Sequence, residues 1–163
     1  MEPIKDAYVL RLVERISDHF RANISNNFLR PALLQVSLDK ETWDQVEALT
    51  EKYERFHYQG FQLYELYRQV AAAARFIHVI RIEIAPTLRF RLTNTGPGGS
   101  EDRVLRQMAI ANFSSNLSEF AVMINDLYLR LVEIDKTTAK GKKPLFHQIP
   151  ELADSINQLS ETN

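Results

Sequence analysis

Residues 101–135, EDRVLRQMAIANFSSNLSEFAVMINDLYLRLVEID, decide the fold of this chain. Within them large apolar side chains recur at alternating spacings of three and four, which aligns them along one side of an α-helix. These positions are Ile110, Phe113, Leu117, Phe120, Ile124, Leu127, Leu131 and Ile134. A long apolar seam is stabilised by packing against other helices, so this stretch requires a partner elsewhere in the chain.

The stretch from Asp39 to Phe76 carries a matching seam. Asp39 is a suitable N-cap for a second long helix. Its apolar positions follow a period near 3.5 at Val46, Leu49, Tyr53, Phe56, Leu63, Tyr67, Val70, Ala74 and Ile77. At 1.5 Å per residue the two predicted helices are roughly 57 Å and roughly 52 Å long, and such similar lengths favour antiparallel packing. The sequence therefore predicts a mainly α fold, an elongated antiparallel helical bundle built on a long helical hairpin.

Two further segments complete the predicted bundle. A first helix begins near Pro3. Its inner stripe consists of Val9, Leu12, Val13, Ile16 and Phe20. Beyond the seam, residues 136–144 predict a basic linker, and residues 145–163 have apolar side chains at helical spacing, with Pro150 suited to start a helix. We therefore expect a helical bundle domain at 1–135 and a C-terminal amphipathic segment that packs on the bundle or on a partner.

Residues 78–92 have two interpretations. Isoleucines alternate with charged residues over 80–84, and apolar residues alternate with arginines over 88–92, which is the pattern of a short β-hairpin. The other interpretation continues the long helix to about Ile84 and ends it before Pro86. β-Branched residues are tolerated in helices, so composition leaves both interpretations open.

The composition excludes several classes of function. A chain of 163 residues without cysteine has no disulfides, thiolate metal sites, iron–sulfur clusters or cysteine nucleophiles. The net charge of −1 gives no overall basic footprint for nucleic acid or acidic membranes. No run approaches the ~20 apolar residues of a membrane-spanning helix, and the N-terminal residues lack a secretory signal. We expect a cytoplasmic protein without a membrane partner.

A metal or catalytic site has weak support in the sequence. Glu54 and His57 form a Glu-x-x-His pair, but helical di-iron proteins use two such pairs and further glutamates. Here a second pair is missing, so we favour a structural interpretation, with Glu54 solvated and His57 half-buried. No nucleophile–base pattern stands out. We expect no cofactor, and a non-enzymatic role is favoured over an enzymatic one.

A basic segment supports one functional hypothesis. Between residues 68 and 92 five arginines accompany a single glutamate, and the linker adds lysines. Aromatic rings interleaved with such charges are typical of surfaces that bind RNA or single-stranded DNA. The polyanion-binding candidates are Arg75, Arg81, Arg89, Arg91, Lys140, Lys142 and Lys143. The competing interpretation is that a long helix is basic toward its C-terminal end because its macrodipole favours that distribution.

Self-association is the hypothesis that the sequence favours. Aromatic residues between 53 and 67 cover more of the helix circumference than one seam needs, so some either pack on the first helix or form a partner surface. The candidate association residues are Tyr58, Phe61, Tyr64, Leu152 and Ile156. The two long helices also have more apolar surface than the remaining segments easily cover. We therefore predict a non-catalytic interaction or assembly protein that forms a homo-oligomer, with a two-fold dimer favoured and a nucleic-acid-binding subunit as the alternative.

Overall fold

The computed structural model describes residues 3–29, 40–54, 61–84 and 100–159. Its α-helices are α1 (Ala7–His19), α2 (Lys40–Glu54), α3 (Leu63–Val79), α4 (Ser100–Ala139) and α5 (Pro150–Leu159). Segments of π-helix continue α1 over Phe20–Leu29 and α3 over Ile80–Ile84, and a 3₁₀ turn, Leu145–Gln148, precedes α5. The mainly α prediction is confirmed, and these ranges contain no β-strand.

The long helix α4 contains the predicted seam. Of the seven seam residues whose side chains the structure describes, six are buried, and Ile134 packs half-exposed against the same core. α1 and α3 pack directly on α4, and α5 packs mainly on α3. Phe20 contacts both α3 and α4, because its ring centroid lies 5.5 Å from those of Phe76 in α3 and Phe120 in α4. These four helices therefore surround one hydrophobic core.

The N-terminal helix α1 is held at its start by Asp6. One carboxylate oxygen of Asp6 accepts a hydrogen bond of 3.1 Å from the Val9 N–H, which is the N-cap interaction that α1 needs. The same carboxylate accepts a bond of 2.6 Å from the Arg130 guanidinium on α4. All five residues of the predicted inner stripe are buried: Val9, Leu12, Val13, Ile16 and Phe20. The stripe prediction is confirmed, and a charged contact joins α1 to α4.

The prediction of one continuous helix from Asp39 to Phe76 is wrong. Gln62 has an extended backbone, with φ of −82° and ψ of 162°, and α3 begins at the next residue. The Glu65 carboxylate accepts the Gln62 N–H at 3.0 Å, so this helix start is capped. The Phe61 carbonyl accepts the Ile4 N–H at 3.0 Å. These two bonds stabilise a break that side-chain periodicity alone does not reveal.

The predicted β-hairpin at 78–92 is wrong over the part that the structure describes. Residues 78–84 are helical, and residues 85–92 lie outside the described ranges. Ile80 is fully buried and extends the apolar face of α3. The Arg81 guanidinium donates a hydrogen bond of 3.0 Å to the Leu159 carbonyl at the end of α5. The second interpretation, a helix that continues to Ile84, is confirmed.

The C-terminal segment turns back after α4 and packs on the bundle. α4 continues through Lys136 to Ala139, and the next two residues have left-handed backbones, with φ of 49° at Lys140 and 86° at Gly141. Glycine adopts this conformation without steric cost, so Gly141 suits the reversal. Pro150 begins α5, as the sequence predicts. The turn brings α5 onto α3, where the α5 apolar residues join the core.

Within the described part of the chain, no helix is both long and apolar enough to cross a membrane.

Candidate functional site

Several predicted site residues lie outside the described ranges. These are His57, Tyr58, Arg89 and Arg91. Glu54 is the last residue of α2. Among the residues that the structure does describe, no three histidine, aspartate or glutamate side chains converge in a group that could hold a metal ion.

The remaining association candidates occupy different environments. Tyr64 is 44% exposed, and the Arg68 guanidinium lies 6.0 Å from the centroid of its ring. Phe61 and Ile156 are half-buried and pack against the core. Leu152 is 1% exposed. The side chain of Leu152 is therefore used within the chain, whereas Tyr64 is accessible to a partner.

The described polyanion candidates lie on different segments of the chain. Arg75 is exposed on α3, and burial lowers the pKa of Arg81, which is bonded to the end of α5. Lys140, Lys142 and Lys143 are exposed together in the turn after α4. Nucleic-acid binding by this set stays a prediction.

A buried carboxylate at the end of α4 holds the best-connected polar cluster in the described residues. Asp135 is 4% exposed, and its Oδ2 accepts hydrogen bonds from the Tyr67 hydroxyl at 2.9 Å and from the Phe146 N–H at 2.8 Å. Its Oδ1 accepts the Leu145 N–H at 2.9 Å. Burial, and then the hydrogen bond to Asp135, raise the pKa of Tyr67, so its hydroxyl stays protonated and donates. Asp135 thereby fastens the C-terminal turn to α3 and α4.

Sequence reasoning missed Asp135, although a signal for it was present. It lies four residues after the seam position Leu131, on the buried side of α4. A charged residue on an apolar face is rarely buried without hydrogen-bond partners. Its position therefore indicated a buried polar cluster, but its partners lie 10, 11 and 68 residues away in the chain, beyond the reach of helical spacing.

A second polar cluster surrounds His19, which is almost fully buried between α1 and α4. The His19 Nε2 lies 2.9 Å from the Asn116 carbonyl oxygen, and its Nδ1 lies 2.9 Å from the Asn23 amide nitrogen. Because a carbonyl only accepts and an amide NH₂ only donates, Nε2 carries the hydrogen and Nδ1 accepts. Both ring nitrogens form hydrogen bonds within the chain, so His19 is a structural residue.

A groove opens beside Asp135, with a cavity volume of about 890 Å³. Its walls come from the extended N-terminal residues, the start of α3, the end of α4 and the turn that follows. The lining includes Ile4, Leu63, Ile134 and Leu145 as apolar residues. It also includes Lys5, Lys142 and Lys143, all of which are exposed. The groove can therefore bind an apolar group that has the cationic side chains beside it.

The outer face of α4 is the second accessible feature. We give this name to Met108, Ala111, Ser115, Ser118, Val122 and Leu129, all of which are exposed. Near its C-terminal end Tyr8 and Leu129 line a shallow depression of about 440 Å³. Charged groups border that depression at Asp126, Arg130 and Glu133.

No family model, curated protein or solved structure matches this chain.

Proposed function

We propose that this protein is a non-catalytic assembly protein that self-associates as a two-fold dimer through the outer face of α4. One observation carries the proposal: Met108, Val122 and Leu129 are 62%, 60% and 52% exposed, and they stand fourteen and seven residues apart along one helix. Apolar residues that recur every seven positions are typical of a seam between helices.

The position of these residues relative to the core supports a second packing surface. Leu129 follows the fully buried Phe120 by nine residues, which is two and a half helical turns, so the two side chains leave α4 on opposite sides. α4 therefore has large apolar residues on two faces, and one of these faces is already covered by α1 and α3. A helix that is apolar on both sides usually has a partner on each of them.

Over residues 111–125 the outer face also lacks the charges of a solvated helix. Glu119 is the single charged residue of the sequence between 111 and 125. The residues between the large apolar ones are small, at Ala111, Ser115 and Ser118, and small side chains let two helices approach closely. A surface poor in charge and rich in small and apolar residues is suited to another helix.

A second copy of the chain fits this surface because its pattern is self-complementary. In an antiparallel pair with its axis between Ser118 and Glu119, Met108 meets Leu129 of the other copy, and Val122 meets Ser115. Each contact then occurs twice, as a two-fold interface requires. The pair joins two of the elongated antiparallel bundles that the sequence predicts, each contributing its α4.

The size of the interface sets its expected strength. From Met108 to Leu129 the strip is roughly 32 Å long and, with a helix roughly 10 Å wide, two copies cover roughly 600 Å². This area lies below that of standard stable interfaces, so the expected dimer is weak and its population depends on concentration. The ring of Tyr8, which lies beside Leu129, adds to the contact.

The proposal is tested by sedimentation equilibrium on charge-introducing variants. We expect Val122→Glu and Leu129→Glu each to shift the protein to the monomer, because the new carboxylate would be buried without a partner. Glu119→Gln should strengthen the dimer, because it removes the repulsion between two carboxylates beside the axis.

Ile82→Glu is the matched control, since Ile82 is 44% exposed on a different element. It should leave the association unchanged. Equal association of the Val122→Glu, Leu129→Glu and unmodified proteins would contradict the proposal, as would an equal loss in the Ile82→Glu control.

A further inference from the structure

We propose that the groove beside Asp135 binds a free long-chain carboxylate, with the hydrocarbon chain on the groove floor and the carboxylate among the lysines of the rim. This inference is independent of the proposed dimer, because the outer face of α4 ends at Leu129 and the groove begins at Ile134 on the same helix. The two proposals therefore have separate tests.

The floor of the groove is suited to a hydrocarbon chain. Leu63 is buried there, and Ile4, Ile134 and Leu145 are half-buried members of the core surface that remain accessible from the groove. The volume of about 890 Å³ lies within the range of pockets for drug-sized ligands. A bound chain would therefore remove apolar surface from water on both sides of the contact.

The rim of the groove carries more positive charge than the lining carries negative charge, since three lysines stand against the two carboxylates of Asp6 and Asp135. Its cationic groups are Lys5, Lys142 and Lys143, and none of them makes an ion pair with a carboxylate of the described residues. The two acidic residues of the lining are already bonded. Asp6 accepts from Arg130 at 2.6 Å, and Asp135 accepts from three donors. The charge pattern therefore selects an anionic head group and orients it toward the rim.

A fatty carboxylate fits the groove better than an acidic peptide does. A peptide on the floor would bury backbone N–H and C=O groups, and each of these requires a hydrogen-bond partner. The floor offers apolar side chains, and the Thr138 hydroxyl in the lining already donates to the Ile134 carbonyl. A hydrocarbon chain has no N–H or C=O groups that need hydrogen-bond partners. Flexible lysines also suit a single carboxylate, which needs charge more than a fixed geometry.

The test is calorimetric titration of the full chain with tetradecanoate below its aggregation concentration. We expect one binding site, with affinity falling about fourfold for each methylene removed from the chain, as buried hydrocarbon predicts. The methyl ester of the same acid should bind at least about tenfold more weakly, because it cannot interact with the rim charges.

Variants distinguish the rim from the general charge of the protein. Lys142→Glu combined with Lys143→Glu should weaken tetradecanoate binding by about tenfold or more, since two attractive charges become repulsive. Lys140→Glu is the matched control, because Lys140 lies in the same turn but does not line the groove. It should change the affinity by less than about twofold at physiological salt, where exposed charges more than about 8 Å apart are largely screened from each other.

A blocking variant tests the floor. Thr138→Trp places a bulky ring at the exposed end of α4 and should abolish binding while the helical circular dichroism is retained. Val122→Glu, which disrupts the proposed dimer, should bind tetradecanoate normally. Equal binding of acid and ester, equal binding by the double lysine variant, or binding of an acidic amphipathic peptide in place of tetradecanoate would each overturn the proposal.

Discussion

Removal of the Asp135 carboxylate should be among the most damaging single changes in this protein. Asp135→Ala leaves three hydrogen-bond donors without their acceptor: the Tyr67 hydroxyl and the N–H groups of Leu145 and Phe146. A buried donor without a partner costs about 1–3 kcal/mol. The Tyr67 hydroxyl lies in a fully buried side chain, whereas the two N–H groups lie at a half-buried turn that water can reach. We therefore expect a loss of about 3–4 kcal/mol in the free energy of unfolding.

The assay is urea unfolding followed by far-ultraviolet circular dichroism, with a double-mutant cycle. Tyr67→Phe removes one donor and should cost about 1–2 kcal/mol. In the Tyr67→Phe background, Asp135→Ala should cost less than in the unmodified chain by about 1–2 kcal/mol, because no buried hydroxyl is then left unpaired. An Asp135→Ala effect below about 0.5 kcal/mol, or additive effects of the two changes, would refute the role assigned to this cluster.

Two further stability predictions concern α1 and the core. Arg130 holds the pKa of Asp6 below its usual range, so the ion pair stabilises the fold above pH 3.8 and is lost as the pH falls through the lowered pKa. Asp6→Asn keeps the N-cap, so it should cost only about 0.5–1 kcal/mol at neutral pH. The difference should vanish once the pH is below the lowered pKa of Asp6, and a difference that persists there would contradict this. Phe120→Ala should cost about 3–5 kcal/mol in urea unfolding, whereas the exposed Val122→Ala should cost less than about 0.5 kcal/mol, and similar losses would place the core on the wrong face.

The sequence predicted the structure best where a single helix has one continuous apolar face. The α4 seam and the α1 stripe are regular because each packs a continuous face into the core, so their periodicity predicts both helix and burial. The break before Leu63 is different, because the apolar period of the long stretch continues across it. Bonds from Ile4 and Glu65 stabilise that break, and the contact between Ile4 and Phe61 joins residues far apart in the chain.

The segment after Val79 shows the same limit. Alternating isoleucines fit a strand or a helix equally well, since β-branched residues occur in both. In the folded chain, Ile80 enters the core and Arg81 bonds to Leu159 at the end of α5. These long-range contacts favour the helix, and they depend on where α5 packs.

The candidate sites could be predicted only in part. Lys142 and Lys143 were identified from charge alone, as members of a polyanion surface that remains a prediction. The groove that they border also needs Lys5 and an apolar floor from separated segments, which local patterns do not bring together. Val122 and Leu129 lie within residues 101–135, but the seam predicts only the face of the helix that packs into the core, so their exposure was not predicted.

The central claim is that two copies of this chain associate through α4, and the mass of the unmodified protein in solution tests it most directly. Sedimentation equilibrium over micromolar to several hundred micromolar protein should show the average mass rising from near the 18.9 kDa of one chain toward twice that value. A mass that stays at 18.9 kDa over the whole range would contradict the claim.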